Sequence, residues 1–245
     1  MKFLVGLLSG FALVLVVLIL IGGYFGVVPG VSSIFGSDKP KDLGVTYAQA
    51  DYQSARAKSN IARVDLPATT PPSSSLQFSG EHPASFSYSS AEVTALIEEK
   101  VWLYFPMHNC QVRFNPDGTT EFSGILEIDK LQDYALARGL SQSDINSVLD
   151  RVNTFTVLQK NMPIYLKGTA SVINGKASYT TEAFKLGNIN LPLEQLHEYH
   201  ADIIRYVEDE LAHVPGLTVN SFTISGGKVH FDGTLPDSVA RAKAN

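Results

Sequence analysis

The sequence predicts an α+β protein: an N-terminal transmembrane helix, then a curved antiparallel sheet of hairpins packed around a long amphipathic helix. Three observations predict it. The run from Phe3 to Ser37 carries no charged residue. From Ser89 onward a helix-then-hairpin pattern occurs three times, and the stretch Leu193 to Val214 repeats apolar residues at helical spacing.

The first part of the uncharged run, Phe3 to Ile21, is almost wholly Leu, Val, Ile, Phe, Ala and Gly. About 20 such residues cross the roughly 30 Å of bilayer hydrocarbon. The rival reading is a cleaved signal peptide, whose apolar core runs to about 7 to 15 residues before a small-x-small site. Here the core is longer, and the best site, near Val31-Ser32-Ser33, is poor. Lys2 precedes the run, and Asp38, Lys39, Lys41 and Asp42 cancel beyond it. The positive-inside rule then places the N-terminus in the cytoplasm and the remainder outside, as a single-pass protein of the cell membrane. The absence of an Asn-x-Ser/Thr sequon fits a bacterial envelope. Cys110 is the single cysteine, so no internal disulfide is expected.

The chain divides into an anchor and juxtamembrane segment (1–37), a tether (38–84) and a folded domain (85–245). In the tether, Thr46 and Gln49 form a capping box for a short helix from Thr46 to Lys58. Pro67 to Ser75 reads as an extended Pro/Ser-rich linker, and Leu76 and Phe78 alternate as a short edge strand.

In the domain, Ser89 and Glu92 cap a helix carrying Val93, Leu96, Ile97 and Val101, which Pro106 stops. Val112 and Phe114 alternate, Asn115-Pro-Asp-Gly118 turns the chain, and Phe122, Leu126 and Ile128 return. Two short helices follow, Leu131 to Arg138 and Ser141 to Val152, broken at Gly139. Ile164, Leu166, Ala170 and Val172 then alternate up to Asn174-Gly175, a type I′ hairpin signal, with Ala177, Tyr179 and Thr181 returning. The third unit opens with the expected long helix, about 33 Å at 1.5 Å per residue. Its stripe is Leu193, Leu196, Ile203, Val207, Leu211 and Val214. Val219, Phe222 and Ile224 then turn at Gly226-Gly227 and return through Val229 and Phe231. Gly124, Gly168 and Gly233 sit inside strand patterns, where glycine marks a bulge or bend.

Four stretches stand out: Ser89-Ser-Ala-Glu-Val-Thr-Ala-Leu-Ile97, Asp117-Gly-Thr-Thr-Glu-Phe-Ser-Gly124, Pro163-Ile-Tyr-Leu-Lys-Gly168 with its Asn174-Gly175 turn, and Lys185-Leu-Gly-Asn-Ile-Asn-Leu-Pro192. Together they resemble the bacterial LmeA-like and YpmS-like envelope proteins. The resemblance spans about Phe86 to Pro236 and implies a TULIP-like lipid-binding fold, in which a long helix lies in a curved sheet and leaves an apolar groove. It implies no catalytic residue. The groove lining would come from Val93, Leu96, Ile97, Val101, Ile164, Leu166, Leu196, Ile203, Val207, Phe222, Ile224, Val229 and Phe231.

Sites for chemistry are sparse. His197 and His200 stand at i and i+3 with Glu194 one turn earlier, whereas a zincin pair stands at i and i+4. They read as the polar flank of a helix, so neither metal nor cofactor is expected, and a metal-dependent enzyme on these histidines is the weakest of three readings. Ser225-Gly-Gly-Lys228 lacks the full phosphate-loop spacing, and no Gly-x-Ser-x-Gly elbow occurs. A net charge of -5 with scattered Lys and Arg argues against nucleic acid. The expected function is a non-enzymatic, membrane-anchored module that binds a phospholipid or other lipid-linked ligand by its acyl chains. The alternative is a structural or protein-interaction domain of the envelope with a closed core.

Overall fold

A computed structural model describes residues 37–99, 102–140, 142–143, 161–194 and 200–243. The described residues are sheet-rich. Strands β1 (Ala62–Leu66), β11 (Ser238–Ala242) and β2 (Leu76–Ser79) form a three-stranded sheet in the order β1-β11-β2. The larger sheet has eight strands: β3 (His82–Ser89), β4 (Met107–Phe114), β5 (Thr120–Glu127), β6 (Asn161–Ile173), β7 (Lys176–Leu186), β8 (Ile189–Asn190), β9 (Thr218–Ser225) and β10 (Lys228–Leu235). Four helices accompany them: α1 (Gln49–Ser59), α2 (Ser90–Glu98), α3 (Leu131–Ala137) and α4 (His200–Ala212).

The three expected hairpins form: β4 with β5, β6 with β7, and β9 with β10. At the second turn Asn174 (φ 50°) and Gly175 (φ 74°) are both left-handed, as a type I′ turn demands. Register shifts occur at Lys167/Gly168 and Asp232/Gly233, so two of the three strand glycines do mark bulges.

The pairing of β6 explains the curvature. Gly168 pairs with Thr120 of β5 and Thr181 of β7, while Val172 pairs with Phe222 of β9 and Ala177 of β7. Since β7 occupies one edge of β6 throughout, β5 and β9 share the other edge, and the sheet splits there into two branches. Register places Val112, Phe122 and Leu166 on one face, and carries that face through Val172 and Phe222 to Val229 and Tyr88. The branches fold onto each other over it. Val112, Phe114 and Val229 form the core cluster, with Tyr88, Val93, Ile97, Phe122, Phe222 and Ile224 packed around them.

Helix α2 closes this core and also covers the edge of β4. Its capping box forms as expected: the Glu92 N–H donates to Ser89 Oγ (3.2 Å), and the Ser89 N–H donates to Glu92 Oε2 (2.8 Å). Ser90, Thr94 and Glu98, one turn apart, then accept from the edge N–H groups of Phe114 (2.9 Å), Val112 (3.0 Å) and Cys110 (2.7 Å). An open strand edge is a template for pairing with other chains, and this polar row removes it. Thr94→Val strips its hydroxyl from buried Val112 N–H and is expected to cost about 1–3 kcal/mol. Urea unfolding checks this, and a loss within error would show that the contact carries no stability.

The structure corrects the expected fold class. The helix that fills the core is α2, of nine residues. The long amphipathic helix expected over Leu193 to Val214 is described as α4, of 13 residues, with none of them buried; Leu196 lies outside the described residues. Helix α4 packs against β7 and β9 and is tied to the β6–β7 turn by Glu208, which accepts from Lys176 Nζ (2.9 Å) and the Ala177 N–H (3.0 Å). A helix-period stripe reports amphipathicity, but it does not report which surface takes it. The expected arrangement of a curved sheet wrapped around this helix, TULIP-like in the resemblance, is therefore not what is seen.

A second correction concerns the membrane. Among the described residues no helix is long and apolar enough to cross one; the longest has 13 residues, where about 20 are needed. The run that carried the expected transmembrane helix lies outside the described residues as far as position 36. The described residues therefore give no support to the expected single-pass anchor or to the expected placement with a cytoplasmic N-terminus and an extracytoplasmic domain.

Residues 38–84, expected as a tether, are built into the fold. β1 pairs in parallel with β11 and β2 pairs with it in antiparallel fashion, while a 3-10 turn (Pro72–Ser74) replaces the extended linker. The short helix starts at Gln49 rather than Thr46, because Asp51 accepts from the Ala48 N–H (2.8 Å) and supplies the cap. Upstream of α1, Leu43 is buried and its N–H donates to Gln111 Oε1 (2.7 Å), which ties this segment to β4.

Candidate functional site

The face of the large sheet that forms the core does not end at the core. Phe122 packs against the cluster, and register sets Leu166 beside it and Phe184 beyond. One step along, Ile164 pairs with Leu186, which pairs with Ile189 across the β7–β8 turn. The Leu191 N–H donates to the Phe184 carbonyl (2.9 Å) and extends this row. Six apolar side chains thus share a patch about 7 Å along the strands and about 10 Å across them. Leu166 keeps 40% of its surface exposed and Ile189 37%, while Ile164, Phe184, Leu186 and Leu191 are half-buried.

Along β6 the same face continues through Gly168 and Ala170, whose small size leaves a lane toward Tyr179, the register partner of Ala170. Tyr179 stacks on His200 of α4 with ring centroids 4.6 Å apart. Its hydroxyl is buried and has no hydrogen-bond partner among the described residues. From Leu186 to Tyr179 the lane runs about 23 Å.

The expected groove residues fall into separate groups. Val93, Ile97, Phe222, Ile224 and Val229 belong to the core packing. Phe231 stacks on Phe86 at 5.2 Å, and Leu96 is half-buried on α2. Ile164 and Leu166 form the inner row of the patch. Ile203 and Val207 lie on α4, the latter 36% exposed. Val101 and Leu196 lie outside the described residues. Sequence reasoning missed Phe184, Leu186, Ile189 and Leu191, although Leu186-Gly-Asn-Ile189, a two-residue turn between apolar residues, was the signal for them.

The buried acids have structural work. Glu121 is 3% exposed. Its Oε2 accepts from Tyr165 Oη (2.7 Å) and Lys41 Nζ (3.1 Å), and its Oε1 accepts from Arg113 Nε (3.1 Å) and Asn115 Nδ2 (3.3 Å). Burial alone would raise its pKa, but the donors of Arg113, Tyr165, Lys41 and Asn115 outweigh it and hold the carboxyl at about 2. Glu92 likewise accepts from Ser54 Oγ (2.6 Å) and Lys58 Nζ (2.6 Å), which docks α1 on α2. Both carboxylates are saturated with donors and serve as anchors. His197 lies outside the described residues, and these hold no cluster of three or more metal-ligating side chains.

Two clefts open elsewhere. One, of about 380 Å³, lies between β2 and the C-terminal ends of α3 and α4; the other, of about 440 Å³, lies between α2, β4 and the segment around Tyr47. Neither is lined by the apolar patch. Comparison with protein-family models, with curated proteins and with solved structures found no match to this chain.

Proposed function

We propose that the chain is a non-enzymatic binding module that seats a single hydrocarbon chain, the acyl group of a lipid, on the apolar face of β6, β7 and β8. The observation that carries this reading is the exposure of Leu166 and Ile189 on a face otherwise devoted to the core. Size decides between occupants. A stable protein interface takes about 800 Å² from each partner, far more than six partly buried side chains offer. An acyl chain covering about 200 Å² of apolar surface gains about 5 kcal/mol before ordering costs. Tyr179, whose buried hydroxyl has no partner among the described residues, marks the far end of the lane. Kinship with LmeA-like and YpmS-like proteins belongs to the same proposal.

Equilibrium titration of the full chain with a fluorescent long-chain fatty acid tests it. Leu166→Lys, at an exposed position, is expected to weaken binding at least about tenfold with little change in melting temperature. Absence of binding by the wild-type chain would overturn the reading. It would favour instead a closed-core interaction module, the reading suggested by Val93, Ile97, Phe222, Ile224 and Val229 being consumed in the core.

A further inference from the structure

The three-stranded sheet has an edge whose hydrogen-bonding phase can be read from its ladder. The Ala242 N–H donates to the Ser75 carbonyl (2.9 Å), and the register continues as Leu76↔Arg241, Gln77↔Ala240, Phe78↔Val239 and Ser79↔Ser238. Hydrogen-bonded and non-hydrogen-bonded pairs alternate in an antiparallel ladder, so Gln77 and Ser79 bond to β11. Leu76 and Phe78 therefore direct their backbone N–H and C=O groups away from β11. Among the described residues no side chain or backbone group bonds to these four groups. This contrasts with the edge of β4, where Ser90, Thr94 and Glu98 take up the N–H groups.

The cleft of about 380 Å³ opens on this same edge. Leu76 and Phe78 line one side, and Arg138, Glu210, Val214 and Pro215 line the other. Arg138 and Glu210 are paired with each other, so their charges cancel, while His213 completes the wall and Val214 and Pro215 make it partly apolar.

We propose that this edge is a docking site for an extended peptide segment of another protein, which adds as a strand beside β2 and pairs with Leu76 and Phe78. A peptide strand presents N–H and C=O groups from every second residue, about 6.8 Å apart, which matches the outward groups of Leu76 and Phe78. A hydrocarbon chain would leave them unpaired at a cost, so the occupant differs from that of the β6–β8 face. The partly apolar wall selects small or apolar side chains on the incoming strand.

The test uses the full chain and an end-blocked, fluorescein-labelled pentapeptide of alternating valine and threonine, followed by anisotropy. Two variants probe the backbone pairing. In the first, the central three residues of the peptide are N-methylated. In the second, Phe78→Pro removes an N–H that β11 does not use, so the ladder to β11 keeps its bonds. The expected result is binding by the wild-type chain that falls at least about tenfold for the methylated peptide, as loss of about two hydrogen bonds requires. Phe78→Pro should weaken the unmethylated peptide in the same way, and Leu166→Lys should leave it unchanged. Failure of the wild-type chain to bind, or equal binding of the methylated peptide, would overturn the proposal. Loss of peptide binding on Leu166→Lys would also overturn it, since the site would then be the apolar face.

Discussion

Gly168→Ala is expected to destabilise the protein by at least about 3 kcal/mol, the upper range for overpacking a core position. A Cβ at Gly168 would stand 1.9 Å from the Thr180 carbonyl oxygen and 2.9 Å from its carbon, and both are backbone atoms that no rotamer change can clear. The position is where β6 passes from pairing with β5 to pairing with β9 and where the register with β7 shifts. A displaced β7 would separate the two branches whose faces make the core. Gly175→Ala is the control: nothing lies within 4 Å of its Cβ, and its φ of 74° alone costs about 1 kcal/mol. Urea unfolding of the two variants separates space from backbone conformation. Equal losses would mean that the branch point is slack.

Glu121→Gln is expected to cost about 2 kcal/mol at neutral pH. Removing one partner of a buried ion pair costs about 3–5 kcal/mol, but here the side chains of Arg113 and Lys41 stay 42% and 49% exposed, so water recovers part of it. The amide also turns N–H donors toward the donors that faced an oxygen. The pH dependence has a definite sign. The folded pKa of about 2 lies below the ordinary value of 4.5, so the unfolded chain binds more protons between them. The contribution of Glu121 is complete above about pH 4.5 and is lost as pH falls toward 2. Denaturation midpoints of wild type and variant should therefore converge over that window. A constant gap through it would show that the carboxylate charge is not what stabilises.

Local chemistry was legible in the sequence and long-range pairing was not. Asn174-Gly175 and the Ser89/Glu92 box each act within a few residues, and both form as expected. The pairing of Ala62 with Ser238 joins residues 176 positions apart in the chain (238 − 62), and nothing in either strand names the other. Helical spacing singled out Val93, Leu96, Ile97 and Val101, yet Ser90, Thr94 and Glu98 of the same helix face the N–H groups of β4. Glu121 alternates like an exposed strand residue but is covered by the segment carrying Lys41. The stripe through Ile203 and Val207 has the period of a buried face, but α4 packs only one side on β7 and β9 while Val207 stays exposed. Within the candidate site, alternation gave Ile164 and Leu166. It could not separate them from the true core positions Val93 and Val229, because a groove wall and a core wall demand the same residues.

The central claim is that one apolar face serves two purposes: closed core under α2, and open seat over β6, β7 and β8. Photo-crosslinking of the full chain with a diazirine-bearing fatty acid, mapped by peptide mass spectrometry, tests it most directly. The account predicts label on Leu166, Phe184, Leu186 or Ile189. Label confined to Val93, Val112 or Val229, inside the cluster that α2 covers, would contradict it.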